Sequence, residues 1–145
     1  MTAAETKNLA LFRKRIVNEF FPTRGFGKAS FRTCRKAVSD FKKTNPSPES
    51  LGDLMLSVPE QACLYTDEYG DMDDAFYTAA ENNFAAALKH LHEHRLIGRF
   101  RPRILKIIET AQNCGYGFPD ALAEIFEEYE SRSVCSEEFE KPDQH

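Results

Sequence analysis

No tryptophan occurs among the 145 residues, so one common anchor for sugars, bases or interface hot spots is missing. No stretch approaches the ~20 consecutive apolar residues of a spanning helix, and no membrane association is expected. The opening MTAAETKNLALF has no basic leader followed by an apolar run of signal-peptide length, and a cytoplasmic location is expected. The cysteines Cys34, Cys63, Cys114 and Cys135 include no C-x-x-C pair. In a reducing compartment they are free thiols, with packing the default role for Cys34 on an apolar helix face and for Cys114 near a helix end. Alternation of β-branched residues is scarce, which argues against strands and for an all-α chain.

The signatures of nucleotide, calcium and zinc chemistry are missing too. TRGFGK at 23–28 is glycine-rich and ends in Lys28. Its G-x-G-K spacing lacks the four-residue interval and the Ser/Thr of a P-loop, and no strand precedes it. The acidic run at 66–74 suggests an EF-hand, but a loop begun at Asp67 has Met72 where Gly is needed and Thr78 where Glu is needed. Helix capping is the plainer reading of those aspartates. His90 and His94 stand i, i+4 without H-E-x-x-H or a third ligand at fixed spacing, so no metal is assigned; the helix dipole accounts for histidines at a C-terminal end. No cofactor is expected, and no catalytic residue can be named, because no nucleophile, base and orienter line up from spacing.

What is present is helical periodicity and bulky apolar material, twelve Phe and five Tyr. A domain of this size buries roughly 70% of the surface its unfolded chain exposes, enough for a core without disulfides. Asp71–Arg95 is the most helix-committed segment. Phe76, Ala80, Phe84, Ala87, Leu88 and Leu91 form one stripe that Tyr77 joins, its start is acidic, and its end carries Lys89, three histidines and Arg95. It is expected to be the post against which the rest packs. Ahead of it, Ala3–Phe21 repeats Leu9, Phe12, Ile16 and Phe20 and stops at Pro22, and Lys28–Lys43 puts Phe31, Cys34, Val38 and Phe41 on one side. Ser47 is a natural N-cap, with Pro48 at the first position of a helix running toward Tyr69. Pro59 lies inside that helix and is expected to kink or split it near Leu56. Further on, Leu96-Ile97-Gly98 is expected to close the central helix, Pro102 to open the next, Gly115 to end it and Pro119 to start the last. The pattern gives about six helices in an up-and-down bundle or a short right-handed α-α stack. Residues 1–130 form a single domain, and 131–145 an acidic tail expected to be disordered.

Charge is strongly segregated. Residues 1–43 carry eleven Lys/Arg against three acids, +8, whereas residues 44–88 carry nine acids and no base, −9; residues 89–109 sum to +4 and 110–145 to −7. On the second helix Lys28, Arg32, Arg35, Lys36, Lys42 and Lys43 cluster within roughly 120° opposite the apolar face. Arg99, Arg101 and Arg103 crowd the start of the fifth helix, where cations oppose the dipole, so they should find acidic partners, and the −9 block is the candidate.

The order Phe20-Phe21-Pro22, basic helix, Leu51–Leu56 (LGDLML), Tyr69-Gly70-Asp71 leading into Phe76-Tyr77, and Gly115-Tyr116-Gly117-Phe118 resembles a family of small bacterial all-helical proteins known only as a domain of unknown function. The resemblance spans about residues 14–130 and implies no activity and no assigned site.

Three functions follow as expectations. The first is a non-catalytic cytoplasmic helical module that binds another protein or itself, with Lys28, Arg32, Arg35, Lys36 and Lys43 as anion- or partner-binding residues. The alternative is weak nucleic-acid or anion binding through the same helix 28–43, although no exposed aromatics interleave its cations. The third is an enzyme whose site is assembled in space from Tyr69, Asp71, Tyr77 and His94. Placement decides between internal and external use of the charge. If 28–43 touches 66–74 the pattern is internal, and if both face solvent a partner is implied.

Overall fold

The computed structural model describes residues 2–22, 30–115 and 117–139. Six helices account for nearly all of them: α1 (Ala3–Phe20), α2 (Phe31–Lys42), α3 (Pro48–Tyr69), α4 (Asp74–Glu93), α5 (Ile97–Ala111) and α6 (Phe118–Phe139). No strand occurs among the described residues, and no described helix is long and apolar enough to cross a membrane. Four N-termini are capped by the side chains that local chemistry prefers. Thr2 accepts from Glu5 N at 3.1 Å, Ser30 from Thr33 N at 3.3 Å, Ser47 from Ser50 N at 3.2 Å and Asp73 from Phe76 N at 2.9 Å.

Successive helices alternate in direction. Phe20 meets Phe31 while Phe12 meets Phe41, so α1 and α2 are antiparallel. Arg13 pairs with Asp53 while Phe20 meets Tyr65, so α1 and α3 run the same way. The same holds for α3 and α5, where Arg103 reaches Glu60 and Asn113 reaches Asp67. Neighbours in space follow from this: α1, α3 and α5 lie side by side as one layer, and α2, α4 and α6 cover it, with α4 against α6. The chain is therefore up-and-down and also a two-layer stack of three helical hairpins.

The central helix is α3 rather than α4. It packs against α1, α2, α4 and α5 and buries twelve residues, against six for α4. The strong local helix propensity of α4 measures how readily it forms, which is separate from how many neighbours surround it. At the contact with α4, a Cβ built on Gly52 would stand 2.5 Å from Leu91 Cδ2, so only glycine allows the two helices this close. α3 also runs through Pro59 as one continuous helix and is not split there. Pro59 is buried, together with Leu56, Val58 and Ala62 around it, and tertiary packing of this kind outweighs a proline's loss of one backbone bond.

One boundary differs from expectation. α5 starts at Ile97, five residues before Pro102. The turn is made by Arg95 in the left-handed region (φ 58°), with Leu96 N donating to Leu91 O at 2.7 Å and Arg95 N to His92 O at 3.1 Å. That pair of bonds is a Schellman closure, usually built on glycine, so Gly98 is left free to enter the next helix. α6 is helical from Phe118 to Phe139. No glycine or proline interrupts the chain between Pro119 and Pro142, and Arg132 pairs with Glu128 one turn earlier.

Candidate functional site

The two charged blocks have different fates. Acids of α3 are taken up internally by arginines from both neighbours in their layer. Arg103 Nη1 lies 2.9 Å from Asp53 Oδ1, its Nε donates to Glu60 Oε2 at 3.1 Å, and its Nη2 donates to Glu60 Oε1 at 3.2 Å and to Ser57 Oγ at 3.1 Å. Arg13 shares Asp53, and Arg99 meets Glu49 at 2.7 Å. Burial alone would lower the Arg103 pKa, but Glu60 and Asp53 hold it above its ordinary value. The expectation that the arginines at the start of α5 find partners in the −9 block thus holds for Arg99 and Arg103, whereas Arg101 turns to Glu130 of α6 at 2.7 Å.

The cations of α2 find no such partners. Arg32, Arg35, Lys36, Lys42 and Lys43 are exposed, and none makes an ion pair or side-chain hydrogen bond among the described residues. Arg32 and Arg35 are the only described arginines of which this is true. The one acid of α2, Asp40, faces away to Arg15 of α1 at 3.2 Å. Lys28 lies outside the described residues.

Beside this basic face the outer layer has a gap. α2 and α4 meet through Phe31 and Phe76 (5.1 Å between ring centres) but do not otherwise pack side by side. Below that contact a groove of about 310 Å³ opens between them. Val58 and the half-buried Met55 of α3 form its floor, Arg35 and Val38 of α2 one wall, and Asn82, Asn83 and Ala86 of α4 the other. None of the described residues lining it is acidic. Asn83 Nδ2 donates to Ala79 O at 2.7 Å, leaving its Oδ1 as an acceptor, and the exposed Asn82 side chain makes no hydrogen bond among the described residues.

The residues proposed for an enzymatic cleft are only partly brought together. Asp71 Oδ1 accepts from Tyr77 Oη at 2.8 Å and from Gly115 N at 2.9 Å, and Met72 N donates to Tyr77 Oη at 3.3 Å. This set ties the α3–α4 connection to the α5–α6 connection. The Gly115 amide and the Tyr77 hydroxyl hold the Asp71 carboxyl below the usual carboxylate range, while burial, then Asp71, push the Tyr77 phenol up to about 12. A Cβ on Gly115 would approach Asp71 Oδ2 to 3.1 Å, so the carboxylate nearly touches the backbone. Tyr69 instead turns to Phe21 and Tyr65, with ring centres 6.2 and 4.8 Å away. His94 is at the far end of α4, about 25 Å along the axis from Tyr77 at ~1.5 Å per residue. There His90 and His94 rings lie 4.6 Å apart, and His90 Nε2 is 2.8 Å from Pro48 O. Among the described residues no three His, Cys, Asp or Glu side chains are grouped to hold a metal.

Helical periodicity leaves Asn82 and Asn83 unremarked. A usable signal was present, since two adjacent asparagines inside an alanine-rich helix oppose helix propensity and call for a reason outside the helix. A family model described as a family of unknown function (DUF6155) matches residues 3–130. Comparison with curated proteins and with solved structures finds no match.

Proposed function

The chain belongs to this family of unknown function, and we propose that it is a non-catalytic, cytoplasmic module that docks an acidic partner protein on the exposed face of α2. The observation that carries the reading is the contrast in pairing. Glu49, Asp53 and Glu60 of α3 are neutralised by α1 and α5, while Arg32, Arg35, Lys36, Lys42 and Lys43 remain uncompensated within the described chain. Surface cations left in a row raise the local potential by several kT and attract anionic surfaces. The chain's overall charge of −4 confines that attraction to one face.

Fluorescence anisotropy with labelled polyglutamate and with a single-stranded oligonucleotide tests the reading over about 50–200 mM salt. Polyglutamate should bind, weaken as salt rises, and be released by the triple variant Arg32→Glu, Arg35→Glu, Lys36→Glu. An oligonucleotide that binds more tightly than polyglutamate would replace the protein partner with nucleic acid, because the same cations can neutralise phosphates. Binding of neither probe would end the docking reading.

A further inference from the structure

The groove between α2 and α4 adds an apolar component to the basic face. We infer that it accepts a bulky apolar side chain from an acidic peptide, so that the ligand class is a segment carrying one large apolar residue among carboxylates. This rests on the docking reading above and narrows it.

The floor and the walls call for different parts of such a ligand. Met55 and Val58 offer apolar surface, with Met55 able to adapt its shape to an inserted group. Arg35 stands at the edge with no partner among the described residues, and Arg32 lies on the adjoining turn. The free amide of Asn82 and the free oxygen of Asn83 present a donor and acceptors suited to the main chain of a segment lying along the groove. At about 310 Å³ the space is at the low end of small-molecule pockets, ~300–1,000 Å³, which suits a side chain better than a cofactor. The cations from Arg32 to Lys43 extend about 16 Å along α2 at ~1.5 Å per residue, beyond the pocket, and this favours an elongated ligand with several carboxylates.

Other occupants fit less well. Single-stranded nucleic acid is gripped by stacking its bases on aromatic side chains, and none of the described residues lining the groove is aromatic. A second copy of the chain could offer Leu64, 41% exposed between Glu60 and Glu68, but Glu60 is already held by Arg103.

The test uses the full chain and two short synthetic peptides of equal negative charge, one with a central Phe and one with Ser in its place, read by fluorescence anisotropy beside polyglutamate. The Phe peptide should bind about tenfold or more tighter than the Ser peptide, the gain expected from burying one such side chain. Ala86→Leu, at an exposed position that points a larger group into the groove, should remove that preference and leave polyglutamate binding unchanged. Arg35→Glu should weaken all three ligands. Equal affinity for the two peptides, or a Phe preference that survives Ala86→Leu, overturns the groove assignment while polyglutamate binding keeps the docking reading intact. Failure of every acidic ligand to bind overturns both.

Discussion

Replacing Gly52 with alanine puts two known effects in opposition, and the geometry decides which prevails. On propensity alone, alanine stabilises a helix interior by about 1 kcal/mol relative to glycine. The new methyl, however, would be 2.5 Å from Leu91 Cδ2 and 3.4 Å from His90 Cδ2, where carbon contacts are optimal at about 3.5–4.0 Å. Leu91 is fully buried, so relief requires α3 and α4 to separate or Leu91 to leave its rotamer. Overpacking of this kind costs about 1–3 kcal/mol. Because the α3–α4 contact is the most extensive in the fold, a cost in the upper part of that range is expected, leaving a net loss of about 1–2 kcal/mol. In a chain of this size that lowers Tm by about 3–6 °C. Differential scanning calorimetry on Gly52→Ala, Leu91→Ala and the double variant supplies the check. Leu91→Ala alone should cost about 2–5 kcal/mol, and the double variant should lose measurably less than the sum of the singles, since the shortened side chain vacates the space the methyl needs. A Tm that rises in Gly52→Ala, or strict additivity in the double variant, would refute the close approach of the two helices.

Other perturbations follow from the same contacts. Arg103→Leu leaves Glu60 without a counter-charge and Asp53 with Arg13 alone; with one fifth of the Arg103 side chain exposed, a loss of about 2–3 kcal/mol is expected, partly recovered by adding Glu60→Gln, and an unchanged urea midpoint would contradict the network. The Asp71 carboxyl is held below its ordinary value by Gly115 and Tyr77. Its stabilisation is therefore present above about pH 3.9 and is lost as pH falls through the lower folded value. Asp71→Asn should flatten the acid limb of a Tm-against-pH curve, and an identical limb would rule the contribution out. Burial pushes the Cys34 thiol up to about 12 and the Cys63 thiol up as well. Both should escape iodoacetamide in the native protein at neutral pH and react after denaturation, as read by peptide mass spectrometry. Rapid native labelling at Cys34, 1% exposed, would contradict its place in the core.

Local chemistry made most helices legible. Ser47 with Pro48, and Asp73 at the head of α4, act where capping preferences put them, and the apolar stripe from Ala80 to Leu91 is buried throughout. Centrality was not legible, because it depends on which helices become neighbours. The alanine-rich α4 has the stronger local signal, but α3, which carries Pro59 within it and is decorated with acids, has helices on both sides and another layer beneath. Arg95 hid the α4–α5 turn, since a non-glycine residue in the left-handed region leaves no compositional mark. For the candidate site, the basic face of α2 was visible as a cluster at helical spacing. Its isolation from the acidic segments was not, because opposite charges distant in sequence can pair or stay apart. The groove arises from α2 and α4 failing to close over α3, which no single helix pattern encodes.

On the proposed reading, the uncompensated cations of α2 and the adjoining groove form one docking surface. Mapping ¹H–¹⁵N chemical-shift changes while titrating the acidic Phe peptide into the full chain tests it residue by residue. Changes should concentrate at 31–43 on α2 and at 79–89 on α4, and be absent from the Arg32→Glu, Arg35→Glu, Lys36→Glu variant at the same peptide concentration. Changes centred on the Asp71–Tyr77–Gly115 end of the molecule, or scattered without regard to α2, would contradict it.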